Sequence, residues 1–482
     1  MLIRHSFFYL LGRIIPGATT LLALALYTRL LTPDEYGHYA LVMATASILN
    51  TVGFQWLSSS VGRFLPAQDN QPEVLISTAL VGFLVLVAIT GIPGGAIAWL
   101  WPDKTLQWFI VLAIALGWGQ GWFDLNLTII NTRLSPIRYG VLTSVKALSS
   151  IGLAITLFYL GWGVTGILIG LIISLWFSTL LICKYWQDFS VRHYDVRLLK
   201  NFIGYGSPMI LTLILALVVD TSDRFFLKWL MDAKTVGSYS AAYDLAQQSL
   251  GMLTNIVHLA AFPLALRALE EKGVTEARNQ LRQNALLLLT ISVPATVGMF
   301  MLADNIAIMM LGTEFREGAG RIIALVALSI FVSGIKSFYF DYSFQLSRKM
   351  GGQVWVVMWA ALANIGFNLW WIPIYGMVGA AYATLGAFLV GLFFSWYLGR
   401  KVFVLPPFPK ESYKVLLASA GMAASLWAAM RWDVWSTLGG RNSVVLFGQV
   451  VLGCIVYAIL LLIFDLGQSR LKLTRYLTRC FQ

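Results

Sequence analysis

Three basic residues stand inside otherwise apolar stretches of this 482-residue sequence: Arg13, Lys146 and Lys336. An ionisable side chain in such surroundings is expensive and reads by default as functional. None has a carboxylate at the three- or four-residue spacing that lets one α-helical side chain neutralise another. Arg13 has Tyr9, Leu10, Pro16 and Gly17 at those places; Lys146 has Leu142, Thr143, Ser149 and Ser150; Lys336 has Val332, Ser333, Tyr339 and Phe340. Cations left in this state suit an anionic phosphate ligand, arginine offering a two-pronged fork and lysine a point charge. The competing reading is structural, as an ion pair between helices or a side chain snorkelling to lipid headgroups. A fourth cation, Arg224, follows Asp220 by four residues and can pair with it locally. With Asp223 these two are expected at a solvated mouth at the outer end of their helix. Arg29 and Arg63 lie at opposite rims, where lipid headgroups explain them as well as a ligand does.

Acids also fall in or near these stretches: Asp124, Asp220, Asp223, Asp244 and Asp341. Asp124 and Asp341 are expected to hold a cation of the opposite half of the chain, the alternative being that one binds a coupling proton or sodium ion. Asn364 and Asn368 share one helix face, four residues apart, and either contact sugar hydroxyls or bridge helices. Gln55 and Gln247 carry the same two readings. Trp118, Trp122 and Trp359 could stack on sugars, whereas Trp99, Trp101, Trp229, Trp432 and Trp435 fit an interfacial belt. Asp34 and Glu35 read as the polar start of a helix.

The elements that position these residues are legible from composition. The chain is 58% hydrophobic and 12% charged, whereas a soluble domain carries about 25% charged residues. Apolar runs of about 20 residues recur, each long enough to cross a hydrocarbon core as a helix. The fold class is an all-α polytopic membrane protein of about fourteen transmembrane helices. The spans are expected near 7–31, 36–58, 74–100, 105–130, 138–160, 164–184, 202–230, 236–266, 283–303, 320–345, 353–373, 377–399, 413–430 and 444–465. Ala23-Leu-Ala25 mimics a signal-peptide cleavage site, but the apolar run is too long, so the first helix is expected to stay. The three cysteines have no metal- or disulfide-like spacing.

The net charge of +12 is scattered over short loops, which excludes a nucleic-acid face and instead sets topology. With the amino terminus inside, 22 of the 34 Lys and Arg lie in cytoplasmic loops and tails, eight lie outside or at the outer rim and four within spans. Both termini are therefore expected to be cytoplasmic.

The sequence also repeats itself. Gly37-His-Tyr39 matches Gly237-Ser-Tyr239, Phe123-Asp124 matches Phe340-Asp341, and Gly163-Val-Thr-Gly166 matches Gly376-Met-Val-Gly379. These near-constant offsets imply two parallel six-helix lobes related by an axis along the membrane normal, an architecture of transporters. The expected division is an N-terminal lobe over 1–184, a cytoplasmic linker over 185–200 and a C-terminal lobe over 201–400. Two further helices and a basic tail fill 401–482.

Two motifs carry a family resemblance. Arg29-Leu-Leu-Thr-Pro-Asp-Glu-Tyr-Gly-His-Tyr39 resembles a turn of bacterial polysaccharide repeat-unit flippases, within the multidrug/oligosaccharidyl-lipid/polysaccharide flippase superfamily. Asn364-Ile-Gly-Phe-Asn368 through Ile372-Pro-Ile-Tyr-Gly-Met-Val-Gly-Ala-Ala-Tyr-Ala-Thr384 resembles a late segment of the same proteins. The resemblance implies two six-helix lobes around a central cavity and no catalytic role. It also implies flipping of an undecaprenyl-pyrophosphate-linked oligosaccharide from the inner to the outer leaflet of the bacterial inner membrane. The expected partners are that lipid-linked oligosaccharide, the phospholipid bilayer, and a polysaccharide polymerase with its chain-length machinery. No cofactor is expected, and the drive would be a proton or sodium gradient or the membrane potential. A lipid II-type flippase or a multidrug or cation antiporter of the same fold is the alternative. A membrane oligosaccharide polymerase would need a large polar outer loop, which the sequence lacks.

Overall fold

A computed structural model describes residues 2–68, 72–133, 135–181, 186, 190, 193–432 and 442–465, with side chains from residue 15 onward except at 67, 68, 72, 208 and 442. It is all-helical among the described residues. In chain order the helices are α1 (Leu2–Leu30), α2 (Pro33–Gly53), α3 (Gln55–Phe64), α4 (Pro72–Leu100), α5 (Lys104–Thr132), α6 (Pro136–Leu157) and α7 (Gly163–Thr179). There follow α8 (Val196–Leu230), α9 (Ala233–Lys272), α10 (Val274–Met301), α11 (Ala303–Met310), α12 (Ala319–Ile335) and α13 (Tyr342–Leu346). The last are α14 (Gly351–Tyr375), α15 (Met377–Gly399), α16 (Ser412–Arg431) and α17 (Asn442–Ile463).

Ten helices among the described residues are long and apolar enough to cross a membrane, or twelve when two bent pairs each count as one span. One of the ten, the 44-residue run Pro136–Thr179, turns over at Gly161 and so contains both α6 and α7. The stretches expected from hydropathy coincide with helices among the described residues, with 36–58 shared between α2 and α3 and 320–345 between α12 and α13. Large apolar side chains such as Ile92, Trp99 and Phe447 are more than two-thirds exposed, as a lipid-facing surface requires and a water-facing one would avoid. The protein is a multi-pass membrane protein.

The chain forms two compact units, Met1–Ser240 and Ala241–Gln482. In the first, α1 packs on α6, α2 on α5, and α8 against α2, α3 and α4. The described parts of the segment expected as a linker are tied down there. Trp186 donates from Nε1 to Asn126 Oδ1 at 2.7 Å, and the Ser190 and Asp195 amides donate to Ser77 and Thr78 hydroxyls of α4. In the second unit α15 packs on both α14 and α12, and α16 and α17 attach through α10 and α11.

The internal repeat is visible in backbone geometry. Gly163 has φ 54° and ψ −139°, and Gly376 has φ 58° and ψ −135°. This conformation is open essentially to glycine alone, and in both places it turns one span sharply into the next. The turns at the start of α2 and α9 also correspond. Thr32 and Glu35 form a reciprocal capping box, while Asp232 accepts the Thr235 amide at 2.7 Å. One turn further on, a Cβ at Gly37 would overlap the Ala233 carbonyl oxygen, and one at Gly237 would overlap that of Pro33. The two glycines thus let α2 and α9 cross backbone to backbone, each serving as the other's partner.

Candidate functional site

In the second unit, the end of α12 departs from α-helical winding. Lys336–Phe340 form one π turn, and the Asp341 amide donates to the Lys336 carbonyl at 2.8 Å. The wider turn brings side chains five residues apart onto one side. Lys336 Nζ consequently lies 2.8 Å from Asp341 Oδ2, with the lysine 8% and the aspartate 2% exposed. Ser395 of α15 donates to the other carboxylate oxygen at 2.5 Å. Gly391, one turn earlier on α15, leaves room for the lysine methylenes: a Cβ there would come within 3.3 Å of Cδ and Cε.

The expectation that Lys336 finds no counter-charge within its own helix is therefore corrected. It assumed α-helical spacing, and the π turn changes which residues meet. The same pair corrects the expectation for Asp341, whose cation comes from its own unit. Aromatic residues flank this pair in the sequence and are themselves fixed. His258 of α9 is hydrogen-bonded to the Tyr342 hydroxyl at 2.7 Å and stacks on Phe338 at 4.7 Å. Tyr339 donates to the Pro406 carbonyl and stacks on Phe408.

In the first unit, the corresponding Asp124 is half-buried on α5 and accepts a hydrogen bond from Asn50 Nδ2 of α2 at 2.9 Å. Lys146 of α6, also half-buried, has its ammonium 5.9 Å from the centre of the Phe123 ring. It feels the Asp124 charge without a direct ion pair. The donor to Asp124, too, comes from its own unit.

The proposed solvated mouth on α8 is also corrected. Asp220 is exposed, but Asp223 is 1% and Arg224 9% exposed. The Tyr239 hydroxyl of the neighbouring helix donates to one Asp223 oxygen, and the Arg224 amide donates to the other at 3.0 Å. Burial of a carboxylate requires such donors.

Asn364 and Asn368 are both fully buried, with Asn368 Nδ2 donating to Asn364 Oδ1 at 3.0 Å. In this conformation they are closed to a sugar, and their burial in α14 suits helix packing. Gln55 is half-buried as the first residue of α3, just past the 42° bend that separates it from α2. Gln247 is exposed and Asp244 half-buried on α9. Arg29 is exposed with Nη1 donating to the Ala25 carbonyl at 2.6 Å, and Arg63 is exposed at the end of α3. Of the tryptophans weighed as stacking surfaces, Trp118 and Trp122 donate to Thr90 and Thr179, while Trp359 is exposed beside Phe394. Arg13 falls in α1, but its side chain lies outside the described residues, as does all of Trp435.

Sequence reasoning missed Asn50, Tyr239 and Ser395, which complete the three carboxylate sites. Tyr239 alone had left a signal, through its place in the repeated Gly-x-Tyr motif. The arrangement offers a buried cation neutralised by a carboxylate at Lys336 and a half-buried one without a direct ion pair at Lys146.

A family model described as "Polysaccharide biosynthesis protein" matches residues 26–320. A Shigella flexneri protein named "Putative O-antigen transporter" is 22% identical over 423 residues, covering 83% of this chain and 98% of that protein. Among solved structures, the lipid II flippase MurJ in an inward closed conformation superposes with a TM-score of 0.74 at 16% identity, over 96% of this chain and 99% of the other. An inward-facing multidrug resistance MATE transporter reaches 0.63 at 15% identity, over 82% and 97%.

Proposed function

Because this chain belongs to the polysaccharide biosynthesis protein family, we propose that it carries an undecaprenyl-pyrophosphate-linked oligosaccharide repeat unit from the cytoplasmic to the outer leaflet by alternating access. The family and fold are those of transporters and flippases rather than enzymes. The observation that carries the reading is the family match over 26–320, joined to a fold shared with a lipid flippase along nearly its whole length. The 22-to-8 asymmetry of basic residues supports a place in the bacterial inner membrane with both termini cytoplasmic.

The pyrophosphate is the part of such a substrate that a cation would select. Lys146 and Lys336 are the side chains for it, with Arg13 as the first contact from the cytoplasm. In the conformation described, Lys336 is already neutralised by Asp341. Binding would thus be an exchange, in which phosphate oxygens take the place of the carboxylate on the ammonium. Released Asp341 would then be free to take up a proton or sodium ion, which ties substrate movement to an ion gradient. Asp124 is the corresponding group in the other unit. A polymerase and chain-length machinery would consume the product.

The test is leaflet-specific labelling of lipid-linked repeat units in cells lacking the protein. Accumulation on the cytoplasmic leaflet, reversed by the wild-type chain, is expected. Unchanged repeat units with heightened drug sensitivity would replace this reading with multidrug export. Arg13→Ala and Lys336→Ala are expected to stop export while membrane insertion stays normal.

A further inference from the structure

Between α10, α16 and the segment joining α15 to α16 lies a cavity of about 740 Å³, wholly within the second unit. Its floor is the extended run Pro407-Phe408-Pro409, which is held in place from several directions. Tyr339 donates to the Pro406 carbonyl and stacks on Phe408, while Arg278 Nε donates to the Val404 carbonyl at 3.0 Å. Lys414 Nζ donates to the Phe464 carbonyl at 2.8 Å, fastening α16 to the end of α17. The cavity wall is therefore built, and it is not a gap beside a loose loop.

Its polar lining carries both signs. Arg282, Lys410 and Lys414 contribute three positive charges, and Glu411 and Asp465 two negative ones. Neither Arg282 nor Lys410 makes an ion pair among the described residues, although carboxylates line the same cavity. Both side chains are exposed. Charge distribution along the sequence puts this end of the unit at the cytoplasmic surface, where Arg278, Arg400 and Lys401 also lie. A basic pocket between spans at that depth meets the anionic leaflet.

We infer that this cavity is a binding site for an anionic phospholipid headgroup of the phosphatidylglycerol class. The phosphodiester sits between Arg282 and Lys410, and the hydroxyls of the terminal glycerol donate to Glu411. The apolar Pro407-Phe408 floor carries the glycerol backbone towards the bilayer. A headgroup that has a phosphate but no hydrogen-bond donor satisfies only half of this lining. The ligand is a resident lipid, distinct from the transported one.

Native mass spectrometry of the full-length protein in detergent, titrated separately with phosphatidylglycerol, phosphatidylcholine and soluble glycerol 3-phosphate, tests the assignment. Retention of phosphatidylglycerol over phosphatidylcholine is expected, with no displacement by glycerol 3-phosphate. Arg282→Gln combined with Lys410→Gln should weaken retention by about thirtyfold, from the loss of two interfacial charges. Arg282→Lys with Lys410→Arg should keep it, as should Arg267→Gln, a change at an exposed pair with Glu271 on α9. Equal retention of the two lipids would overturn the inference. So would an undiminished adduct in the doubly neutral variant, and full competition by glycerol 3-phosphate would reassign the cavity to free phosphate.

Discussion

Asp124 and Asp341 occupy corresponding places in the internal repeat, each directly after a phenylalanine, and each has a lysine of its own unit to answer it. The housing differs. In the second unit the lysine is five residues away on the same helix, and the π turn closes the pair at 2.8 Å with Ser395 completing the carboxylate. In the first, Asp124 leans on an amide, Asn50, and Lys146 approaches from a neighbouring helix without touching. A closed, buried pair is costly to open and indifferent to small shifts of its surroundings, whereas charges on separate helices respond to any relative movement of those helices. The two repeat-equivalent carboxylates are thus held in different ways, one in a closed ion pair and one by an amide with the lysine at a distance.

The contrast is open to direct attack. Asp341→Ala strands a buried ammonium and should cost about 3–5 kcal/mol, while Asp124→Ala, at a half-exposed site without a direct pair, should cost about 1–3 kcal/mol. Thermal unfolding of the purified variants measures both, and equal losses would erase the distinction. Replacing the whole pair, with Lys336→Met and Asp341→Leu together, should leave stability within about 1 kcal/mol of wild type, because neither charge is left alone. Export by that variant should nevertheless be lost, and export retained would make the pair purely structural. Ser395→Ala should cost about 1.5–3 kcal/mol, as a hydrogen bond to a charged group, and Asn50→Ala about the same or less. The smallest effect belongs to the matched caps: Thr32→Ala and Asp232→Ala should each cost about 1 kcal/mol. Hydrogen bonds from Thr235 hold the Asp232 carboxyl below the usual carboxylate range. Its contribution is therefore complete above the ordinary aspartate pKa and fades as pH falls through the lowered one, a fade that Asp232→Asn should remove.

Hydropathy made the fourteen helical stretches legible, because a span's length is set by bilayer thickness and leaves a contiguous signature. The repeat was legible for a related reason: Gly163 and Gly376 are required by a backbone conformation, so residue identity reports geometry. The site was only partly legible. Spacing arithmetic at Lys336 failed because the number of residues per turn was assumed, and nothing in Lys336-Ser-Phe-Tyr-Phe340 announces a π turn. Helical spacing leaves Asp223 solvated, whereas Tyr239 of the following helix donates to it, a tertiary partner that spacing cannot identify. The fastening of the Pro406–Pro409 segment is of the same kind, since its anchors come from α10 and the end of α12.

The crossing of α2 and α9 at Gly37 and Gly237 leaves no slack for a side chain. A methyl group at Gly37 or Gly237 would run into a carbonyl oxygen of the facing helix, so a single Gly37→Ala or Gly237→Ala change must push the two main chains apart. Dispersion falls by about a quarter to a half over a gap of roughly 0.5–1 Å, so even that small displacement loosens the contact.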